Sequence, residues 1–235
     1  DINQTMIANL TAQIGNHTNV EIQEDLVRHM VLNALRRYRQ MYPDAGEMII
    51  ACDDKKYWRR VVFPFYKANR KKAREQSELD WNQIFTILNK IRDELKAHSP
   101  YKVIMAPGAE ADDVIGTLAK QAKAANWNVL ISTGDKDLAQ LVEPGISLIN
   151  TMTEERLDTE GVKNKFGVPP ERIVDYLSIM GDTVDNVPGV PKAGPKTAVK
   201  WLTEFGTLDE LMKRSSEVKG VVGENLRASL DWLPK

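Results

Sequence analysis

The amino-acid sequence predicts an α/β fold with a largely parallel central sheet and a second, helical part. Over roughly the first 160 residues, short apolar runs typical of strands alternate with segments of helical period. Beyond about residue 162 the strand-type runs stop, and helical patterns joined by Gly/Pro turns continue to residue 213. We therefore predict two domains, residues 1–160 and residues 161–235.

The elements of the first domain follow from the spacing of its apolar residues. A period of about 3.6 residues predicts an amphipathic helix, and a short apolar run flanked by Gly, Pro or Asp predicts a buried strand. In chain order the sequence predicts a helix over residues 22–41, a strand over 48–52, a helix over 81–95, a strand over 102–106, a helix over 111–125, and strands over 129–132 and 147–151.

The composition excludes several classes of protein. Apolar residues make up 42% of the chain and charged residues 28%, which excludes global disorder. No apolar run approaches the roughly 20 residues of a transmembrane helix, and we predict no signal peptide and no membrane partner. The single cysteine, Cys52, excludes an internal disulfide framework and favours a reducing, cytoplasmic setting. The net charge of −1, from 32 basic and 33 acidic residues, excludes no partner until the charges are placed.

Carboxylates recur where the predicted strands end. In a parallel sheet these positions converge on the carboxyl edge, where ligands bind. Each group taken alone has a structural alternative: a favourable helix N-terminus, a turn after a strand, or a solvated helix face. The acidic residues in question are Asp53, Glu110, Asp112, Asp113, Asp135, Asp137, Asp182 and Asp185.

The joint pattern favours a metal site. Anions gathered at one edge repel each other unless a cation compensates them. Oxygen ligands without a nearby His or Cys are typical of Mg²⁺ or Mn²⁺, and so large a cluster suggests two ions. Two-metal sites suit the in-line attack of water on a phosphodiester.

A basic segment follows the first strand. Residues 55–74, which we call the basic segment, contain nine Lys or Arg and no acidic residue, with five aromatic residues among them. Cations bind the phosphate backbone while aromatic faces stack on unpaired bases. A solvated loop is the alternative, but the composition favours binding of single-stranded nucleic acid.

A glycine-rich turn lies in the second domain. Gly189 and Gly194, punctuated by prolines and followed by a helical pattern, predict a helix-hairpin-helix whose backbone N–H groups bind phosphate. Lys192, Lys196 and Lys200 add positive charge. A plain turn between packed helices is the alternative interpretation.

Three blocks carry a resemblance to a known family. Glu110-Ala-Asp-Asp113, Ser132-Thr-Gly-Asp135-Lys-Asp137 and Gly181-Asp182-Thr-Val-Asp185-Asn-Val-Pro-Gly189 resemble the flap endonuclease/5′-3′ exonuclease family. Residues 129–211 are most similar to the 5′-nuclease domain of bacterial DNA polymerase I. Residues 57–103 instead resemble the phage ribonuclease H branch of that family.

The resemblance implies a PIN-like nuclease domain over residues 1–160, with a helical arch over residues 55–80. It implies a helical DNA-binding subdomain, of helix–three-turn–helix type, over residues 161–235. It further implies an apolar strand directly before the first aspartate. It also assigns two Mg²⁺ ions, for which Mn²⁺ can substitute, to the eight carboxylates above together with Asp1.

The resemblance assigns roles to basic and glycine residues as well. Lys67 and Arg70 match positions that contact the scissile phosphate, so we expect them to be catalytic together with Asp135 and Asp137. Contact with DNA is expected from Arg59, Arg60, Tyr66, Lys71, Lys72, Arg74, Gly189, Lys192, Gly194 and Lys196. We also expect a K⁺ ion at the helix-hairpin-helix.

The sequence therefore predicts a structure-specific 5′ nuclease. Its expected substrates are branched or 5′-ended duplex DNA and RNA–DNA primers. We expect a monomer that works with replication proteins, in the nucleoid or in a phage-infected bacterial cell. Two alternatives stay open: a fold that binds branched DNA without cutting it, and a PIN-type ribonuclease acting on single-stranded RNA, which leaves the hairpin unexplained.

Overall fold

The computed structural model describes residues 1–14, 23–77, 79–150 and 152–233. Its strands are β1 (Ile49–Cys52), β2 (Lys102–Met105), β3 (Val129–Ser132), β4 (Ile146–Asn150) and β5 (Glu155–Leu157). Its helices are α1 (Ile2–Ile14), α2 (Glu24–Met41), α3 (Arg59–Val62), α4 (Ala68–Glu75), α5 (Trp81–His98), α6 (Ala111–Ala124), α7 (Thr159–Phe166), α8 (Ile173–Met180), α9 (Pro195–Phe205), α10 (Leu208–Lys213) and α11 (Gly220–Ser229). One-turn and two-turn 3-10 helices cover Lys136–Leu141, Pro170–Arg172 and Ser215–Glu217.

The strands form two sheets. β1 pairs in parallel with β2, with Ile50 opposite Val103, and β3 pairs in parallel with β4, with Ile131 opposite Leu148. β5 adds to β4 in the antiparallel direction. The α/β class and the parallel pairing predicted from the sequence are confirmed, but the described residues divide the strands between two sheets.

A cleft of about 370 Å³ separates the two sheets. It is lined by residues 48–51 from the β1 side and residues 128–132 from the β3 side, and Asp1 lies at it. Within the described residues, no strand pairs with the second edge of β1 or of β3.

Two large hydrophobic cores and one small one hold these elements, and the small one joins Ala51 of β1 to Ala111 and Val114 of α6. One large core joins α1, α2, β1 and α5 through fully buried side chains such as Met6, Ile84 and Ile91. The other large core joins β3 and β4 to the helices that follow them, through side chains such as Ile146 and Ile179. β3 and β4 therefore share a core with the helical part, and Ala119 of α6 belongs to the same core. The predicted boundary between residues 160 and 161 therefore stays a prediction.

All seven elements predicted for the first domain are present, with ends that differ by at most three residues. The sequence analysis assigned no element to residues 2–14, which form α1, and none to residues 155–157, which form β5. Predicted residues 22 and 151 lie outside the described residues. Among the helices described, none combines the length and the apolar character needed to cross a bilayer.

Candidate metal and nucleic-acid site

The predicted carboxylates come together at one end of the strands. Asp53 follows β1, Asp135 and Asp137 follow β3, and the residues from 110 to 113 open α6 after β2. Asp182 and Asp185 lie in the turn after α8. We call the eight residues the acidic cluster: Asp53, Glu110, Asp112, Asp113, Asp135, Asp137, Asp182 and Asp185.

The start of α6 is organised by its own acidic side chains. The Glu110 backbone N–H donates to Asp113 Oδ2 at 2.9 Å, and the Glu110 side chain accepts from the backbone of Asp113 in return. Such a capping box satisfies N–H groups that the helix leaves unpaired. Asp53 Oδ1 accepts from the Ala111 N–H at 2.8 Å, so the end of β1 is tied to the same turn.

Asp54 has a structural role beside the cluster. Its Oδ2 accepts from the Gly108 N–H at 2.7 Å, which joins the loops after β1 and β2. Hydrogen bonds from the backbone of Gly108 and Lys55 hold the pKa of Asp54 below its usual value.

Basic side chains of the basic segment pair with this end of α6. Arg59 donates from Nη1 to Asp113 Oδ2 and from Nη2 to Asp113 Oδ1, both at 2.8 Å, and from Nη1 to Glu110 Oε2 at 2.9 Å. Lys67 Nζ donates to Glu110 Oε1 at 2.7 Å. Glu110 is only 3% exposed, so a buried carboxylate is compensated here by two cations.

The basic segment is also fastened to the turn after α8. Arg70 Nη2 donates to Asp185 Oδ1 at 2.5 Å, and the Lys67 N–H donates to the Asp185 carbonyl at 2.9 Å. Asn69 Nδ2 donates to the Thr183 carbonyl at 2.6 Å, and Asn186 Nδ2 donates to the Phe65 carbonyl at 2.8 Å. The segment therefore lies across the acidic cluster and joins its two sides.

The pair Asp135 and Asp137 lies where the carboxylates crowd most. Asp135 Oδ1 accepts from the Asp137 N–H at 2.9 Å, and Lys136 Nζ donates to Asp182 Oδ2 at 2.5 Å. Burial, with the nearby charge of Asp135, raises the pKa of Asp137 to about 6. Burial and Asp135 likewise raise the pKa of Asp112 to about 6. In both cases burial is the larger cause and the neighbouring negative charge adds to it.

The donor chemistry fits a hard divalent cation. The cluster offers carboxylate oxygens only, and Asp137 Oδ1 is buried without a hydrogen-bond partner among the described residues. In the part of the chain that the structure describes, no three acidic, His or Cys side chains are arranged to hold one ion. Four cations, those of Arg59, Lys67, Arg70 and Lys136, pair with carboxylates of the cluster in this structure.

Asp1 caps the first helix in this structure. Its Oδ1 accepts from the N–H groups of Asn3 at 2.8 Å and of Gln4 at 3.3 Å, so the carboxylate caps the start of α1. Asn3 Nδ2 in turn donates to Asp53 Oδ2 at 3.3 Å, which places the start of α1 beside the acidic cluster.

Of the residues of the basic segment predicted to contact DNA, three are exposed and the other three pack against neighbouring side chains. Arg60, Lys71 and Lys72 are exposed. The Tyr66 ring packs edge-on against Tyr57 at 6.0 Å. The Arg74 guanidinium lies 4.8 Å from the ring centroid of Phe85 and 5.5 Å from that of Trp81 on α5, where burial lowers its pKa. Arg59 pairs with the acidic cluster as described above.

The predicted helix-hairpin-helix is formed by α8, the turn after it and α9. Gly189 lies against the backbone of Met180 and Gly181, where an added Cβ would come within 2.2 Å of the Met180 carbonyl. Gly194 precedes α9, and Lys192 and Lys196 are exposed. Only glycine allows the close approach at position 189.

Sequence reasoning missed three contributors to the site. Lys136, which pairs with Asp182, lies between the predicted ligands Asp135 and Asp137. The Asp-Lys-Asp pattern could have indicated that this lysine belongs to the site. The Trp58 Nε1–H donates to Asp113 Oδ2 at 3.2 Å, a polar contact beyond the stacking expected of the aromatic residues in the basic segment. Asn186 fastens the turn to Phe65, and no local pattern indicates a contact across so many residues.

The fold and the site define a class of protein: an α/β domain with an acidic site at the carboxyl ends of its strands, joined to a helical subdomain. Residues 4–167 match the family model of the 5′-3′ exonuclease N-terminal resolvase-like domain, and residues 168–234 match that of the 5′-3′ exonuclease C-terminal SAM fold. The chain therefore belongs to the 5′-3′ exonuclease family. The resemblance found in the sequence is confirmed.

Individual relatives agree with this assignment. The chain is 45% identical over 176 residues to the DNA polymerase I of Pseudomonas aeruginosa. The matched residues make up 75% of this chain and 18% of that protein. It is 38% identical over 188 residues to a 5′-3′ exonuclease of Buchnera aphidicola. The matched residues make up 80% of this chain and 60% of that protein. The chain thus spans about a fifth of the polymerase relative and three fifths of the exonuclease relative.

A solved structure shares the fold. The bacteriophage T5 flap endonuclease, in a complex with DNA and metal ions, superposes with a TM-score of 0.80 at 22% identity and covers 96% of this chain and 83% of that one. At this identity the likeness supports the architecture, including the helical C-terminal part.

Proposed function

We propose that this chain is a metal-dependent, structure-specific 5′ nuclease that hydrolyses phosphodiester bonds at 5′ ends and flaps. The observation that carries the proposal is the convergence of carboxylates from four chain segments, with Lys67 and Arg70 at the same place. Membership of the 5′-3′ exonuclease family supports it.

The side chains have separate tasks in this proposal. The acidic cluster would hold two divalent ions, which supply an activated water and stabilise the leaving oxygen. Lys67 and Arg70, now paired with Glu110 and Asp185, would turn to the scissile phosphate as those carboxylates are neutralised. Their positive charge then stabilises the charge that develops on the phosphate oxygens.

DNA would be held at two places. The exposed lysines of the hairpin, Lys192 and Lys196, would hold the phosphates of the duplex. The exposed cations Arg60, Lys71 and Lys72 would hold the single-stranded 5′ end. Both contacts are electrostatic, so binding should weaken steeply with salt.

We further propose Mg²⁺ as the working ion, with Mn²⁺ as a substitute, because the donors are hard oxygens. K⁺ is proposed at the hairpin. The proposed substrates are branched DNA and RNA–DNA primers, processed by a monomer that acts with replication proteins in the cytoplasm, in the nucleoid or in a phage-infected bacterial cell.

The test is cleavage of a labelled 5′-flap duplex by the wild type and by the double variant Asp135→Asn, Asp137→Asn. With MgCl₂ the wild type should release the flap, and the variant should lose cleavage by at least about 10³-fold while binding the substrate as tightly. Asn at position 135 keeps the oxygen that accepts from the Asp137 N–H. Asp158→Asn, at the N-cap of α7, is the matched control and should cleave normally.

Other outcomes would select another function. Equal cleavage by the double variant would exclude the proposed site. A wild type that binds the flap substrate but yields no product with Mg²⁺ or Mn²⁺ would be a branched-DNA-binding protein. Preferred cleavage of single-stranded RNA without any duplex would indicate a ribonuclease.

A further inference from the structure

A second cavity adjoins the acidic cluster. Its volume is about 320 Å³. Asp137, Asp182 and Asp185 lie on one side of it. The remaining lining is largely apolar and comes from the basic segment, from α8 and from the turn that follows α8: Trp58, Val62, Phe63, Val174, Leu177 and Val187.

Several of these apolar side chains are unusually exposed. Val62 is 71% exposed, Val174 is 52% exposed and Trp58 is 49% exposed. Single exposed apolar residues need no explanation, but a group that converges on one cavity marks a binding surface. Two separate elements present these side chains, so the arrangement does not follow from one amphipathic helix.

The indole of Trp58 is held in place. Its Nε1–H donates to Asp113 Oδ2 at 3.2 Å, and the Arg59 guanidinium lies 4.6 Å from its ring centroid. An aromatic ring that is already fixed loses little conformational entropy when a ligand stacks on it.

We propose that this cavity accepts one nucleobase of the strand being cut, next to the scissile phosphate. This inference rests on the proposed function, since the phosphate of the same nucleotide must lie at the acidic cluster. Among common ligands, a nucleotide joins an anionic phosphate to a flat, apolar-faced base over a short distance. With divalent ions at the carboxylates, the phosphate meets positive charge while the base covers the exposed apolar wall.

The lining also indicates how selective the cavity is. Besides the carboxylates and Arg59, the polar side chains that line it are those of Gln140, Ser178 and Tyr66. Stacking and apolar contact are available to every base, because each base has a π face. The cavity should therefore detect that a base is present without strong preference among the four.

The experiment combines a protein variant with a substrate lacking one base. Single-turnover cleavage is measured on 5′-flap substrates that carry either a normal nucleotide or an abasic tetrahydrofuran on each side of the scissile phosphate. For the wild type, one abasic position should lower the single-turnover rate constant by roughly 5- to 100-fold. Val62→Thr combined with Val174→Thr places hydroxyls under the base at almost unchanged shape and should lower cleavage of the normal substrate roughly 3- to 10-fold.

The decisive result is the coupling between the two changes. The Thr variant should lose less on the abasic substrate than the wild type does, because the contact is already weakened. Val61→Thr is the matched control: Val61 is the neighbouring residue on α3, is 84% exposed and does not line the cavity. It should behave as the wild type on both substrates.

The failures of the two proposals are distinguishable. If flaps are cut but the abasic position makes no difference, or the Thr variant equals Val61→Thr, the cavity does not hold a base and the nuclease stands. If nothing is cut, the nuclease proposal fails, and a fluorescence titration decides the cavity: thymidine monophosphate with MgCl₂ should quench the wild type but not Trp58→Phe. Equal quenching of both proteins, or none of either, would overturn the inference.

Discussion

Lys67 is the residue at which backbone and side chain both serve the site. Its φ of 56° lies in the left-handed region, which costs a non-glycine residue roughly 1 kcal/mol or more. The N–H donates to the Asp185 carbonyl and Nζ lies 2.7 Å from Glu110 Oε1. Burial opposes the ammonium, but the hydrogen bonds with Glu110 and Tyr66 and the charge of Asp185 raise the pKa of Lys67 overall.

Lys67→Met keeps the apolar stem of the side chain and removes its charge. We expect single-turnover cleavage of a 5′-flap substrate to fall by about 10²-fold, since one donor to the transition-state phosphate is lost. Lys163→Met is the control, because Lys163 is an exposed lysine on α7 and has no part in the proposed contacts with DNA. If both variants cleave at the same rate, Lys67 has no role at the phosphate.

At the scale of elements, the junction between α8 and α9 depends on one close backbone contact. An added Cβ at Gly189 would lie within 2.2 Å of the Met180 carbonyl and 2.3 Å of the Gly181 backbone nitrogen. At Gly194, which caps α9, nothing lies within 4 Å of the added atom. Two glycines of the same turn therefore have different reasons for being glycine.

Gly189→Ala and Gly194→Ala form a matched pair for this distinction. Gly189→Ala should lower the free energy of unfolding by about 2–3 kcal/mol, because backbone atoms must separate. Gly194→Ala should change it by less than about 1 kcal/mol. Urea denaturation followed by circular dichroism measures both. Equal losses would show that close packing at position 189 is not what the turn requires.

At the scale of the molecule, a share of the negative charge is concentrated at one site. Eight of the 33 acidic residues lie in the acidic cluster, and Asp1 starts the helix beside it. Without these nine residues, the chain has 24 acidic and 32 basic residues. Near-neutrality is therefore a cancellation, and it is compatible with a polyanionic partner.

Divalent ions should stabilise the whole protein, because a site assembled from four segments exists only in the folded state. At a concentration of 100 times Kd the gain is about 2.7 kcal/mol, which corresponds to a Tm higher by roughly 5–10 °C at this chain length. Thermal unfolding with MgCl₂ or MnCl₂ is compared with EDTA at equal ionic strength. The Asp135→Asn, Asp137→Asn variant should lose most of the rise. A wild-type Tm that does not respond to either ion would contradict metal binding at the cluster.

The sequence predicted well those features that depend on near neighbours. Helices α2, α5 and α6 were evident from their period, and β1 and β3 from short apolar runs that end in acidic residues. The first helix, α1, was not predicted. β5 was missed because three residues with mostly exposed side chains carry no period that distinguishes them from a loop.

The partners of the basic segment were not predictable in the same way. Nine cations within 20 residues look alike along the chain. Only the folded path shows that Arg59 pairs with Asp113, that Arg70 pairs with Asp185 and that Arg74 lies over the Phe85 ring. These pairs join residues that are distant in sequence, and which pairs form depends on how the strands and helices pack.

By itself, the sequence determined which residue types stand at the strand ends, and hence the proposal of an oxygen-only site for a hard cation. It also determined the helical subdomain and its glycine turn, since both depend on local spacing and backbone preference. The tertiary structure alone decided which cations neutralise the carboxylates and how Val62 and Val174 come to line one cavity. The ion pairs and the cavity lining depend on contacts between segments that are distant in the sequence. The packing of the two large cores sets the geometry of these contacts, and no local pattern does.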